Sequence, residues 1–190
     1  MFQSLSQMPD GFSPMITLRL TTWVNAPVER CFLLATSRGF SPVVKNGVAV
    51  PDTTKSMLEC GDELGWKMSG TDHISRVDTM RPYCHFREVM TAGIFRHYEH
   101  DHHFAPMDDG TRVRDEIRFS LRMGPLGKMY GAMVVRSLLM RMLVEKNSEL
   151  KRLAESAEWQ RFVSVEVPAP SQVVVPPAVV GRMSNMQRFA

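Results

Sequence analysis

A chain of 190 residues with 44% hydrophobic content suits one domain with a substantial core, and nothing in it calls for a second. Its +3 net charge comes from 23 basic and 20 acidic residues scattered along the chain, with no polybasic run to follow a phosphate backbone, which argues against nucleic acid as a partner. Three cysteines, Cys31, Cys60 and Cys84, are widely spaced and form no CxxC pair, so they exclude a disulfide framework and a structural zinc site and read as small core hydrophobes.

The opening MFQSLSQMPDGF lacks the basic and apolar regions of a secretory signal, and cytoplasmic residence is expected. Residues 1–14 form an N-terminal extension. From Met15 to Val24 the chain alternates as a half-buried strand, with Ile16, Leu18, Leu20, Thr22 and Val24 on one face. A short helix follows: Asn25 is a candidate cap, Pro27 suits a first turn, Glu29 complements the dipole, and Val28, Cys31, Phe32 and Ala35 make an apolar stripe. Between Arg38 and Gly61, the residues Pro42, Gly47 and Pro51 allow at most a short helix, a loop and an edge strand, and loops of that length often gate a site. Strands are expected at Asp62–Ser69 and His73–Met80, joined near Gly70. Pro82 ends the second of them, Tyr83–Met90 begins the next, and Thr91, Ala92 and Gly93 connect onward.

The stretch FRHYEHDHHFAPMDDGTRVRDEIRFSL, Phe95 to Leu121, reads as a hairpin turning at Asp108, Asp109 and Gly110. Alternation then pairs Tyr98 with Phe119, His100 with Ile117, His102 with Asp115 and Phe104 with Val113 on one inward face, leaving His97, Glu99, Asp101 and His103 outside. The preceding strand adds Phe86 and Glu88 inward, on the same side as Arg96 and Tyr98. Histidines and carboxylates among aromatics cost a few kcal/mol each to bury unless paired, so this face is more like a cavity wall than a dry core. After Gly124, Pro125 and Gly127 one long helix runs to about Trp159. Its first half, with Met133, Leu138 and Leu143, is apolar nearly all round and is expected to be covered on more than one side. Lys128, Arg136 and Arg141 interrupt it, so no transmembrane span is expected. Residues 160–190, with Pro168, Pro170, Pro176 and Pro177, read as a flexible tail.

The order strand, short helix, antiparallel strands and long terminal helix resembles the helix-grip fold of the START/SRPBCC superfamily, the polyketide cyclase and lipid-binding family. The resemblance covers residues 15–159 and rests on WVNAPVE, GDELGW, the run from Phe95 to Phe104, GTRVRDEI, GPLG and EKNSELKRLAE. It looks closest to the bacterial ligand-binding SRPBCC group. The family implies an α+β fold in which a curved antiparallel sheet wraps the C-terminal helix around an apolar cavity for a lipid, polyketide or isoprenoid. Leu121 departs from a proline common in relatives at that position, and the tail has no counterpart.

On this reading the ligand-binding candidates are Trp66, Phe86, Glu88, Arg96, Tyr98, His100, His102, Phe104, Asp115, Ile117, Phe119, Met133 and Leu138. Two functions stay open: binding or transport of a hydrophobic small molecule, and a cyclase, aromatase or dehydratase in which His102, Asp115, His100 or Tyr98 moves protons. A sensor or adaptor role is a weaker third. His102 with Asp115 also reads as a satisfied pair fixing sheet register, and Glu88 with Arg96 as an ion pair across a hairpin. A metal on His100, His102, Asp115 and Glu88 is set aside because no compact HxxxH or HExxH spacing supports it, and no cofactor is expected. A homodimer is compatible with the sequence.

Overall fold

The computed structural model describes residues 15–40, 47–48, 56–68, 70–121 and 125–163, with the side chains of the last stretch from 133 onward. The expected N-terminal extension, most of the tail and any short helix between residues 41 and 46 or 49 and 55 lie outside the described residues. Strand β1 (Ile16–Val24) leads into helix α1 (Val28–Thr36), then β2 (Gly47–Val48), β3 (Glu63–Met68), β4 (Thr71–Arg81), β5 (His85–Ala92), β6 (Phe95–Met107), β7 (Gly110–Leu121) and helix α2 (Pro125–Ala154). The strands form one antiparallel sheet in the order β1-β7-β6-β5-β4-β3-β2. Sheet and terminal helix together make the expected α+β helix-grip architecture.

The hairpin register is the one alternation dictates: Tyr98 faces Phe119, His100 faces Ile117, His102 faces Asp115 and Phe104 faces Val113. Gly70 adopts φ +81° at the β3–β4 turn. At Gly110 φ is +149° and an added Cβ would run into the Val24 carbonyl, so only glycine lets the β6–β7 turn approach the end of β1. Bulges interrupt β4 between Ile74 and Ser75 and between Val77 and Thr79, and β6 between Phe95 and His97. Each adds twist and bends the sheet round α2.

The last bulge corrects one expectation. Phe95 pairs with Leu121 but His97 pairs with Ser120, so Arg96 is the extra residue. Phe95 and Tyr98, three apart, both point inward, and Arg96 is exposed. The expected Glu88–Arg96 ion pair is therefore replaced: Glu88 sits opposite His100 and beside His102.

Other details differ as well. Asn25 does not cap α1; Pro27 occupies the cap position without a side-chain bond. The backbone N–H of Asn25 instead donates to Glu155 Oε1 at 2.8 Å, while Lys151 Nζ donates to the Trp23 carbonyl at 2.6 Å, tying the end of β1 to the end of α2. Helix α2 stops at Ala154 and a 3-10 turn, Ala157–Arg161, follows. Nor is α2 covered all round: Met133 is 69% exposed, and Val134 and Val144 are exposed too. The inward stripe is Leu139, Leu143, Asn147 and Leu150, at helical spacing.

Two apolar clusters share that stripe. One joins α1 residues Cys31, Phe32 and Leu34 to Phe86, Phe104, Val113 and Leu150. The other joins Leu18, Phe95, Tyr98, Ile117 and Phe119 to Leu139 and Leu143. Between Leu143 and Leu150 the helix turns Asn147, only 2% exposed, toward the sheet.

Candidate functional site

A cavity of about 120 Å³ lies between the concave face of the sheet and α2. Apolar side chains make most of its wall: Ala35, Phe40 and Leu58 at one end, Leu64 and Trp66 from β3, Ile117 from β7, and Leu139, Met142 and Leu143 from α2. Glu88 from β5, Tyr98 and His100 from β6, and Lys146 from α2 bring polar groups to the same wall.

Behind Glu88 and His100 stands a buried polar network. Asp115 is 1% exposed, and its Oδ1 lies 2.9 Å from His100 Nε2 and 2.7 Å from His102 Nδ1, while Oδ2 accepts from Asn147 Nδ2 at 2.7 Å. Burial works against charge on Asp115, but the two histidines outweigh it and hold the carboxyl well below the usual carboxylate range. Burial likewise opposes a charged Glu88, but His102 and then Lys146 outweigh it and bring the carboxyl down to about 2. His100 moves the other way for an imidazole. Burial, reinforced by His102, brings it down to about 4, so its ring is neutral at pH 7. For Tyr98, burial and then the charges of Glu88 and Asp115 push the phenol well above its ordinary value, leaving a permanent hydrogen-bond donor on the wall.

Proton bookkeeping singles out His102. Facing ionised Asp115, Nδ1 must carry a proton. Nε2 then looks toward Glu88 Oε1 at 3.3 Å, but out of line for a hydrogen bond, so this nitrogen is buried without a partner. Phe86 stacks on the same ring at 4.0 Å and fixes its plane.

Of the residues singled out from sequence, Trp66, Glu88, Tyr98, His100 and Ile117 line the cavity. His102 and Asp115 lie one layer behind it, Phe86 and Phe104 belong to the α1 cluster, and Phe119 and the partly buried Leu138 belong to the other. Arg96 and Met133 face away. Since His100 rather than His102 reaches the wall, the imidazole able to touch a guest molecule is His100. Sequence reasoning missed Ser37, Phe40 and Leu58, which come from the segment around α1 where periodicity fails. It also missed Lys146 and Asn147, for which an i, i+4 stripe through Leu139, Leu143 and Asn147 was the available signal.

The outer face carries its own cluster. Asp101 is only 4% exposed there, because His85 Nε2 at 2.8 Å, Arg87 Nε at 2.8 Å and Arg118 Nη2 at 3.1 Å cover it. Arg87 and His85 outweigh burial and hold its carboxyl below the ordinary value.

Beneath the cavity wall, His73 stacks on Trp66 with ring centres 4.2 Å apart and has no hydrogen-bond partner at either nitrogen, although it is fully buried. Burial lowers its pKa. His73→Phe keeps the stack and removes both orphaned atoms, so it is expected to stabilise the fold by about 1–3 kcal/mol in urea denaturation. A lower midpoint for the variant would show that the imidazole nitrogens contribute something the geometry does not reveal.

No protein-family model and no curated protein sequence matches the chain. Solved structures do. The Streptomyces aromatase/cyclase Zhui superposes with TM-score 0.59 at 19% identity, over 76% of this chain and 98% of that one. The Thermus thermophilus protein TTHA0849 gives 0.58 at 20% identity over 74% and 100%. Ginseng major latex-like protein 151 from Panax ginseng gives 0.55 at 9% identity over 74% and 97%. At such identities the likeness is one of fold, and that fold is the helix-grip architecture shared by aromatase/cyclases and latex-like proteins. The motif resemblance to the START/SRPBCC superfamily agrees with it. Among the described residues no helix is long and apolar enough to cross a membrane.

Proposed function

We propose that the chain binds a hydrophobic small molecule carrying a polar group, of lipid, polyketide or isoprenoid type, in the cavity between the sheet and α2, and acts as an intracellular carrier. The observation that carries this reading is the composition of the wall: a largely apolar lining that brings Tyr98, His100, Glu88 and Lys146 together around one cavity. An apolar guest is held by the lining, and its carbonyl or hydroxyl is oriented by the Tyr98 hydroxyl and the Lys146 ammonium. A volume of about 120 Å³ is below the roughly 300–1,000 Å³ of pockets that enclose drug-sized ligands. It matches a single ring or a short chain, the rest of a longer molecule extending past the mouth.

Native mass spectrometry and organic extraction of the purified chain test this directly, and a hydrophobic molecule is expected in both. Leu143→Trp fills the cavity and is expected to abolish ligand uptake while the protein stays folded by circular dichroism. Protein that is always empty and takes up no fatty acid, polyketide or terpenoid probe would remove the carrier reading.

A second reading has one specific observation in its favour: His100 is neutral, lines the cavity and is backed by Asp115, the arrangement of a general base. As a cyclase- or dehydratase-like enzyme the chain would use His100 to take a proton beside a carbonyl, with Tyr98 donating to the developing oxyanion. His100→Ala would then remove turnover of a polyketide probe and leave its binding largely intact.

A further inference from the structure

We propose that Glu88, His100 and His102 form a binding site for one divalent first-row metal ion of the zinc type at the floor of the cavity. One ligand atom from each of the three lies within 4.8 Å of those from the other two, and all three residues are buried. His102 Nε2 supplies the sharper observation. Its side chain is 2% exposed, the nitrogen has no hydrogen-bond partner, and Glu88 Oε1 stands 3.3 Å away. Zinc–nitrogen and zinc–oxygen bonds of about 2.0–2.2 Å place two ligands of a tetrahedral ion roughly 3.3–3.5 Å apart. The pair therefore already sits at the edge length of such a site, while it misses the alignment of a hydrogen bond.

The surroundings are those that metal-bound histidines require. Each imidazole gives its other side to a carboxylate: Asp115 Oδ1 lies 2.7 Å from His102 Nδ1 and 2.9 Å from His100 Nε2, and Asn147 anchors the second oxygen. With Nδ1 held by Asp115, His102 Nε2 is the ring nitrogen left facing Glu88 Oε1 without a hydrogen-bond partner. Two imidazoles and one carboxylate is a donor set for an open site, and two of the three residues, Glu88 and His100, line the cavity. Lys146, on the same wall as Glu88, opposes a cation. The outer cluster of His85, Asp101 and His103 is equally close-set, but there the guanidinium groups of Arg87 and Arg118 already occupy the carboxylate. The site requires no organic guest, so its test is separate from that of the carrier reading.

The full-length chain, freed of metal by chelation, is titrated with Zn²⁺ by calorimetry and with Co²⁺ by visible absorption. One equivalent is expected, with the intense absorption of tetrahedral Co²⁺. Glu88→Gln and His102→Gln should weaken binding by about 100-fold or more, Asp115→Asn by about 10- to 100-fold, and Lys146→Gln should tighten it. His103→Ala, on the exposed outer face, should change nothing. Should the buried variants not fold, X-ray absorption of the zinc-loaded wild type and of His103→Ala decides, with two imidazoles and no sulfur expected in both. No uptake at tens of micromolar ion, binding that survives Glu88→Gln and His102→Gln, or binding lost with His103→Ala overturns the proposal.

Discussion

Asp115→Ala is expected to lower folding stability by about 3–5 kcal/mol, read as a shift of the urea midpoint at pH 7. One carboxylate, 1% exposed, lies against His100, His102 and Asn147 at 2.7–2.9 Å, and alanine leaves all three facing a void. The loss is large because the donors cannot turn to water: His102 is clamped by Phe86, and Asn147 sits between Leu143 and Leu150 on the buried stripe of α2. Asp115→Asn is expected to cost about half as much. It keeps the volume and one acceptor oxygen but sets an amide N–H₂ against a donor. Surface ion pairs give the contrast. Arg19 with Glu116 joins β1 to β7 at 2.8 Å, yet Arg19→Ala should barely move the urea midpoint, because the arginine side chain is 63% exposed and water screens the pair. A loss below about 1 kcal/mol for Asp115→Ala would mean that the network is not what holds the helix to the sheet. Ligand affinity adds a second measurement. Asp115 is not a lining residue of the cavity, so a change in affinity must pass through the groups it holds, of which His100 stands on the wall.

How far the sequence reaches is clearest at the hairpin. Period-two alternation and the turn at Asp108–Gly110 leave one register available, and His100, His102 and Asp115 fall on the concave face. Two features defeat the same logic. The bulge at Arg96 follows from how the sheet must bend, not from any local residue preference in FRHY, so the inward list is wrong by one position at that end. Along the first half of α2, apolar residues occur all round and leave the helix without a phase. The pattern thus allows Met133 an inward position although it faces solvent. The second half hides the opposite error. The pattern of EKNSEL is amphipathic, yet Lys146 reaches the cavity and Asn147 reaches Asp115, because polar residues turned inward look the same in sequence as polar residues turned outward. Phe40 and Leu58 were out of reach because their positions depend on how irregular chain around α1 closes over the sheet.

Stability is expected to fall steadily as the solution is acidified from pH 6.5 to pH 4, by about 3 kcal/mol from His100 alone. Burial, with His102 adding to it, brings the His100 pKa from 6.5 to about 4. Between those values the unfolded chain binds a proton that the folded chain refuses, so acid favours unfolding; the contribution is fully present above pH 6.5 and lost as pH falls through the folded value. His73 is shifted in the same direction by burial and steepens the same window. Glu88 acts lower down, with the same sign. Its carboxyl falls from 4.5 to about 2, so the stability it supplies is present above pH 4.5 and disappears as pH drops toward 2, and Asp115 follows the same course. Urea denaturation at pH 7, 5.5 and 4.5 measures the upper window, where the curve should bend downward well before the carboxylates titrate. His103 is lowered by burial as well, so the His73→Phe/His103→Ala variant removes both of these histidines, and the slope it retains there is the part to which the cavity imidazole contributes. Stability that stays level or rises between pH 6.5 and 4 in that variant would require His100 to be charged when folded, and a charged His100 has no lone pair with which to take a proton or hold a metal ion.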